Sequence, residues 1–323
     1  MSTDASMKAA VIRGQGRVDL EEALLPRPRA REVRVRLRGC GVCASNLPVW
    51  AGRPWFEYPL PPGNPGHEGW GEIAAVGDAV EGFEIGEPVT LLSGRAYAEY
   101  DVADAEAIAR LPERFADTPL PGEPLACAMN VFRRSRIAAE QWVAIVGVGF
   151  IGALLVQLAS DAGARVIALS RRPFALQVAR ECGARYVFST KDPQAAIGAV
   201  RELTADAGCE RVIEAGGEQA TLDVASALAA EGGRLVIAGY HQDGPRRVDM
   251  QQWNWRGLDV INAHERDPRV QVRGLREAMD ALSDGRIDPK PLLTHRVPLR
   301  ELGSAFELMQ SRPDGFLKAV VTT

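Results

Sequence analysis

The six residues Gly147-Val148-Gly149-Phe150-Ile151-Gly152 restrict the fold of this chain more than any others. They divide an almost wholly apolar stretch, 142–159, into a run of strand length before the glycines and a run of helical length after them. A membrane span would have neither the three glycines nor the missing basic flank, so the stretch reads as a strand, a tight turn and a helix. In that setting G-x-G-x-x-G describes a dinucleotide-binding turn. The first glycine permits the turn, the second lets the backbone approach a pyrophosphate, and the third lets helix and strand pack closely. The helix start, at Phe150 and Ile151, offers unpaired N–H groups to the phosphates.

The surrounding pattern repeats. Apolar runs at 142–146, 165–170, 185–188, 211–214, 234–238 and 259–262 alternate with amphipathic segments such as 174–182 and 220–230. Repeated β-α units of this kind make a parallel, doubly wound α/β sheet. With 323 residues the chain is long enough for two domains. The first 120 or so residues carry short β-patterns at 8–12, 32–39, 71–76 and 88–92, broken by proline- and glycine-rich connections such as 59–65, which predicts an irregular β-rich domain. Helical patterns at 272–283 and 301–310 and a last strand at 317–321 have no core of their own and are expected to return to it. The expected division is 1–124 and 265–323 for the β-rich catalytic domain, and 125–264 for the nucleotide domain.

A site for NAD would place an acid at the end of the second strand, to bind the ribose 2′-hydroxyl. Here the residues are Ser170-Arg171-Arg172. A hydroxyl and two guanidiniums suit a 2′-phosphate, so NADP is expected in preference to NAD.

A net charge of −4 gives no general attraction to nucleic acid or anionic membranes. Residues 1–11 lack the apolar stretch of a secretory signal, and five cysteines without a paired spacing framework suggest a reducing compartment, so a cytoplasmic location is expected.

Three motifs outside the nucleotide domain carry chemistry: Gly41-Val42-Cys43-Ala44-Ser45-Asn46, Gly66-His67-Glu68 and Glu123-Pro124-Leu125-Ala126-Cys127. With the glycine turn, and in this order, they resemble the zinc-dependent alcohol and polyol dehydrogenases of the medium-chain dehydrogenase/reductase superfamily, in the branch of the sorbitol and threonine dehydrogenases. The likeness runs from Met7-Lys8-Ala9 to the closing strand. It implies a GroES-like fold for the catalytic domain. It also implies Cys43 and His67 as zinc ligands, Glu68 as the acid beside the metal that can exchange with water on it, and Glu123 as third ligand, with Cys127 in reserve. Ser45 would pass the substrate's hydroxyl proton outward, and Lys318 resembles the basic residue that approaches the cofactor phosphates.

Such a ligand set with one open position suits a catalytic zinc, which polarises an alcohol or carbonyl for hydride exchange with a nicotinamide. No cysteine lies within 93–109, so the structural zinc of many relatives is not expected, and one zinc per chain is. Two departures stand out: Asn46 replaces the usual aspartate and Pro48 a frequent histidine, which removes the usual relay from Ser45 to solvent. Trp50, Trp55 and Trp70 lie near the ligand motifs, where core packing competes with a role as substrate walls.

The resemblance implies a small alcohol or ketone substrate, of polyol, cyclitol or sugar-derived type, and a homodimer or homotetramer. The alternatives are a zinc-free enone or quinone reductase of the same fold and a nucleotide-binding protein without catalysis.

Overall fold

The computed structural model describes residues 5–323; the expectation drawn from residues 1–11 therefore falls partly outside the described residues. The described residues form two compact units, one of residues 5–126, 275–283 and 289–323, the other of residues 127–274 and 284–288.

The first unit begins with an antiparallel hairpin, β1 (Ser6–Gly14) and β2 (Arg17–Leu24). Then follow β3 (Glu32–Gly41), the short helix α1 (Leu47–Trp50), β4 (Gly69–Val76), β5 (Pro88–Leu91), β6 (Tyr100–Asp104), β7 (Ile108–Arg110) and the helix α2 (Gly122–Ser135), whose later residues belong to the second unit. The hairpin strand β2 was not anticipated. Its sequence, Arg-Val-Asp-Leu-Glu-Glu-Ala-Leu, lies largely exposed and so lacks a continuous apolar face.

Strand β3 organises this unit because it alternates: Val33, Val35 and Leu37 are buried, while the residues between them are not. They face a core that includes Ile73, Leu91, Tyr97 and Phe306.

In the second unit β8 (Trp142–Val146), α3 (Phe150–Asp161), β9 (Arg165–Ser170), α4 (Pro173–Glu181), β10 (Tyr186–Ser189), α5 (Pro193–Leu203), β11 (Cys209–Glu214), α6 (Gln219–Leu228), β12 (Ala229–Ile237), α7 (Met250–Trp255) and β13 (Asp259–Asn262) alternate regularly. The helix α8 (Pro268–Ser283) leads away from them. The sheet order is β10-β9-β8-β11-β12-β13, with every adjacent pair parallel. Covered on both faces, its strands can be continuously apolar: Val143 to Val146 are all buried. The apolar stretch 142–159 is thus strand, turn and helix, and among the described residues no helix is long and apolar enough to cross a membrane. Local capping starts the helices: Asp192 accepts from the Ala195 N–H, and Glu218 and Thr221 cap α6 reciprocally.

The chain then adds β14 (His295–Pro298), α9 (Leu302–Ser311) and β15 (Ala319–Thr322) to the first unit. There β15 pairs antiparallel with β3, Val320 opposite Gly41, which closes a seven-stranded sheet.

Candidate active site

The glycine turn follows from its neighbours. Gly147 has φ +104°, which L side chains rarely adopt, and a Cβ there would stand 2.7 Å from the Gly216 nitrogen. Gly152 packs on the carbonyl of Gly147, leaving no room for a side chain. Gly149, by contrast, faces open space: a Cβ there would meet nothing within 4 Å. It caps α3 without any side-chain bond, so the N–H groups at Phe150, Ile151 and Gly152 begin the helix with their donors toward that space. The two crowded glycines build the turn, and the open one leaves room for a phosphate.

Ser170 ends β9 and is nearly buried. The N–H of Arg172 donates to its hydroxyl at 3.3 Å, and the Arg172 guanidinium reaches the Val148 carbonyl within the glycine turn at 3.4 Å. Arg171 pairs with Glu218 at 2.8 Å and remains more than half exposed.

In the first unit Cys43, His67 and Glu68 converge: one ligand atom from each lies within 4.8 Å of the others. The sheet brings them together. The N–H of Gly41 donates to the Glu68 carbonyl at 3.0 Å and that of Val42 to the Ala319 carbonyl at 2.9 Å, so the Cys43 turn is tied to the His67 loop and to the chain's end. Nδ1 of His67 lies 2.8 Å from the Pro65 carbonyl, which can only accept; Nδ1 carries the proton and Nε2 is left for a metal. Burial pulls the His67 ring down, but the hydrogen-bonded Cys43 sulfur and the charges of Cys43, Glu123 and Glu68 push it up to about 10. A cysteine sulfur, an imidazole nitrogen and a carboxylate around one point fit a zinc ion. Glu123, in the first turn of α2, stands outside the converging three, yet its charge acts on both His67 and Lys318. Cys127, one turn further along, is a half-buried thiol.

Lys318, read in the sequence as the basic residue that approaches the cofactor phosphates, is engaged with Glu68: its ammonium donates to Oε1 at 2.7 Å and lies 2.5 Å from Oε2, with side chains 5% and 0% exposed. Burial lowers the affinity of the ammonium for its proton, but the charges of Glu68 and Cys43 outweigh this and raise its pKa. The register of β15 on β3 decides this placement.

Asn46, in place of an aspartate, is almost fully buried and accepts from the Tyr97 hydroxyl at 2.8 Å. Tyr97 also packs on Gly66, just before His67, and its N–H donates to the Gly63 carbonyl. One buried tyrosine thereby joins the Cys43 turn to the His67 loop, a role no sequence motif announced. Ser45 is half-buried in the single helical turn Ala44–Asn46, and Pro48 is the second residue of α1. Of the tryptophans, Trp70 is core, Trp50 stacks on Phe306 at 5.1 Å, and Trp55 is 60% exposed.

Residues 29–113 match the family model of the alcohol dehydrogenase GroES-like domain, and residues 151–282 that of the zinc-binding dehydrogenases. A 2-dehydro-3-deoxy-L-galactonate 5-dehydrogenase of Pseudoalteromonas atlantica is 28% identical, over 91% of this chain and 92% of its own. Among solved structures, an alcohol dehydrogenase of Escherichia coli CFT073 complexed with NADH superposes with a TM-score of 0.86 at 25% identity, over 98% of this chain and 99% of that one. A zinc-binding dehydrogenase of Sinorhizobium meliloti 1021 bound to NADP gives 0.83 at 27%, over 99% and 100%. The chain belongs to the zinc-dependent alcohol and polyol dehydrogenases of the medium-chain superfamily. It is an oxidoreductase that uses a nicotinamide cofactor.

Proposed function

We propose that this chain transfers hydride between NADP(H) and a secondary alcohol or ketone, with polyols, cyclitols and sugar-derived alcohols as the substrate class. The observation that carries the reading is the convergence of Cys43, His67 and Glu68 within 4.8 Å. Cys43, His67 and Glu123 would hold the zinc, with Glu68 beside it. When bound, zinc supplies a Lewis acid for the substrate oxygen, and the nicotinamide gives or takes the hydride.

The protein's own part is to hold and neutralise. The Pro65 carbonyl keeps His67 in the right tautomer, and Tyr97 orients the Cys43 turn through Asn46. Lys318 balances the charge of Glu68 and donates to its Oε1. Ser45, on the turn after Cys43, would take the substrate's hydroxyl proton. With proline at 48, the proton would leave by a route other than that side chain.

The preference for NADP rests on Ser170, Arg171 and Arg172 at the end of β9, where no acid stands and Arg172 lies over the glycine turn. The NADP-bound relative supports it, while the NADH-bound relative shows that the fold takes either cofactor. Glu123 in Glu-Pro-Leu motivates the polyol class, and the sugar-acid dehydrogenase relative agrees with it. A homo-oligomer in the cytoplasm completes the reading.

The test is the metal content of protein purified without chelator, followed by polyol turnover with NADP and with NAD. The expected result is about one zinc per chain, lost in Cys43→Ala, and turnover favouring NADP. Zinc-free protein that still binds NADPH would overturn the zinc reading, and equal rates with NAD would overturn the preference.

A further inference from the structure

We propose that Glu214 and His241 are a positioning pair for the nicotinamide half of the cofactor, clamping two loops at the carboxyl edge of the parallel sheet. The inference rests on the reading of this unit as a dinucleotide site.

The sheet order β10-β9-β8-β11-β12-β13 reverses between β8 and β11. In doubly wound sheets a dinucleotide lies across this switch point, outside the carboxyl ends of the strands, one mononucleotide over each half. The half made by β8 to β10 carries the glycine turn and Ser170 to Arg172, which suit the pyrophosphate and the adenosine. The nicotinamide half therefore falls over β11 to β13. The two halves touch at the switch: Gly147, after β8, is packed on Gly216, after β11.

Glu214 is the last residue of β11, and its side chain is wholly buried. Its Oε1 accepts the N–H groups of Gly216 and Gly217, each at 2.8 Å, and the Thr221 hydroxyl at 2.6 Å. Its Oε2 lies 2.9 Å from Nε2 of His241, in the loop after β12. The Arg246 guanidinium donates to Nδ1 of the same ring at 2.9 Å and to the Gly217 carbonyl at 3.0 Å. Because Nδ1 accepts, Nε2 carries the proton and donates to Glu214. The backbone repeats the link, with the N–H groups of Ala238 and Gly239 both donating to the Glu214 carbonyl at 2.8 Å. Gly239 has room for no side chain, since a Cβ would stand 2.6 Å from Oε2.

A buried carboxylate is costly unless its oxygens are satisfied, and here they are satisfied by the two loops and by Thr221 at the start of α6. Its oxygens and both ring nitrogens are engaged within the protein, so neither residue is offered to a ligand. They act through what they hold: the backbone at 238–240 and the exposed Tyr240, whose ring lies 5.5 Å from that of His264. None of these residues falls in a motif that the sequence singled out.

The experiment uses the full-length chain and compares NADPH with adenosine 2′,5′-bisphosphate, which carries the adenosine half alone, by titration calorimetry. Glu214→Gln sets an amide NH₂ against the His241 N–H, and His241→Phe removes the link from the loop side while leaving the bonds of Glu214 to Gly216, Gly217 and Thr221. Each is expected to weaken NADPH by about tenfold, as when a loop holds its competent form a tenth of the time. Binding of the bisphosphate should stay within about twofold. His241→Phe, on a loop, keeps the test open if Glu214→Gln fails to fold. Equal weakening of both ligands, or of neither, would overturn the proposal while leaving the cofactor reading intact. Wild-type protein that binds neither NADPH nor NADH would overturn the cofactor reading and the proposal together.

Discussion

In the first unit charge is held by charge, whereas in the second the glycine turn meets its ligand with backbone. Around Cys43 and His67 stand Glu68, Glu123 and Lys318, drawn from segments as much as 275 residues apart and deeply buried at the Glu68–Lys318 pair. The glycine turn draws on one stretch of six residues, in which the open position, Gly149, has no atom within 4 Å of where a side chain would begin. The first arrangement is vulnerable to the loss of a partner and the second to the addition of an atom. Substitutions of opposite kinds should therefore break them.

The largest effect is expected from Cys43→Ala. Removing one member of a catalytic group that acts as a unit should lower turnover on the order of 10⁴-fold, together with loss of the metal, read from steady-state rates and metal analysis. An unchanged rate would detach catalysis from this cluster.

Next comes Lys318→Met, which leaves Glu68 as a buried charge without its ammonium. Unfolding in denaturant should show a loss of about 3–5 kcal/mol. The double variant Glu68→Gln/Lys318→Met should recover much of that loss, because no isolated charge remains; failure to recover would show that the pair is not what holds the pocket.

The glycine turn supplies the opposite test. Gly147→Ala forces a side chain to φ +104° and against Gly216, at a cost of about 1–3 kcal/mol in stability. Gly149→Ala should leave the melting temperature within about 1 °C, since its φ of −97° is ordinary and nothing is displaced, yet weaken cofactor binding. If Gly149→Ala instead destabilises the fold and spares the cofactor, the contrast between the two glycines is wrong.

Tyr97→Phe sharpens the comparison within the metal pocket. It leaves the buried Asn46 oxygen without its donor, for about 1–3 kcal/mol, and should speed zinc loss to a chelator without moving the affinity for NADPH.

A last effect is in pH. With the metal removed by chelator, His67 has its pKa raised from 6.5 to about 10, so its proton contributes stability in full below about pH 6.5 and loses it as the pH rises through about 10. Stripped protein should therefore weaken over that interval relative to stripped His67→Gln, as read from denaturation midpoints at several pH values.

Much of the fold was legible because its signals are local. Six apolar runs between helical patterns define a doubly wound sheet, and the strand, turn and helix around Gly147 follow from one stretch of 18 residues, 142–159. The hairpin strand β2 escaped because an exposed strand has no apolar rhythm to read. Cys43 and His67 stood out in motifs, and a structure was needed only to bring them to one point.

The sequence by itself determined, then, the alternation of elements, the glycine turn and the residue types able to hold a metal, all of which are written in neighbouring positions. Tertiary structure alone decided that Lys318 meets Glu68, that Tyr97 ties Asn46 to the His67 loop, and that Glu214 reaches His241. The first of these depends on the register of strands far apart in the chain. A slip of one residue between β15 and β3 would turn Lys318 to the other face of the sheet, and no local pattern encodes that choice.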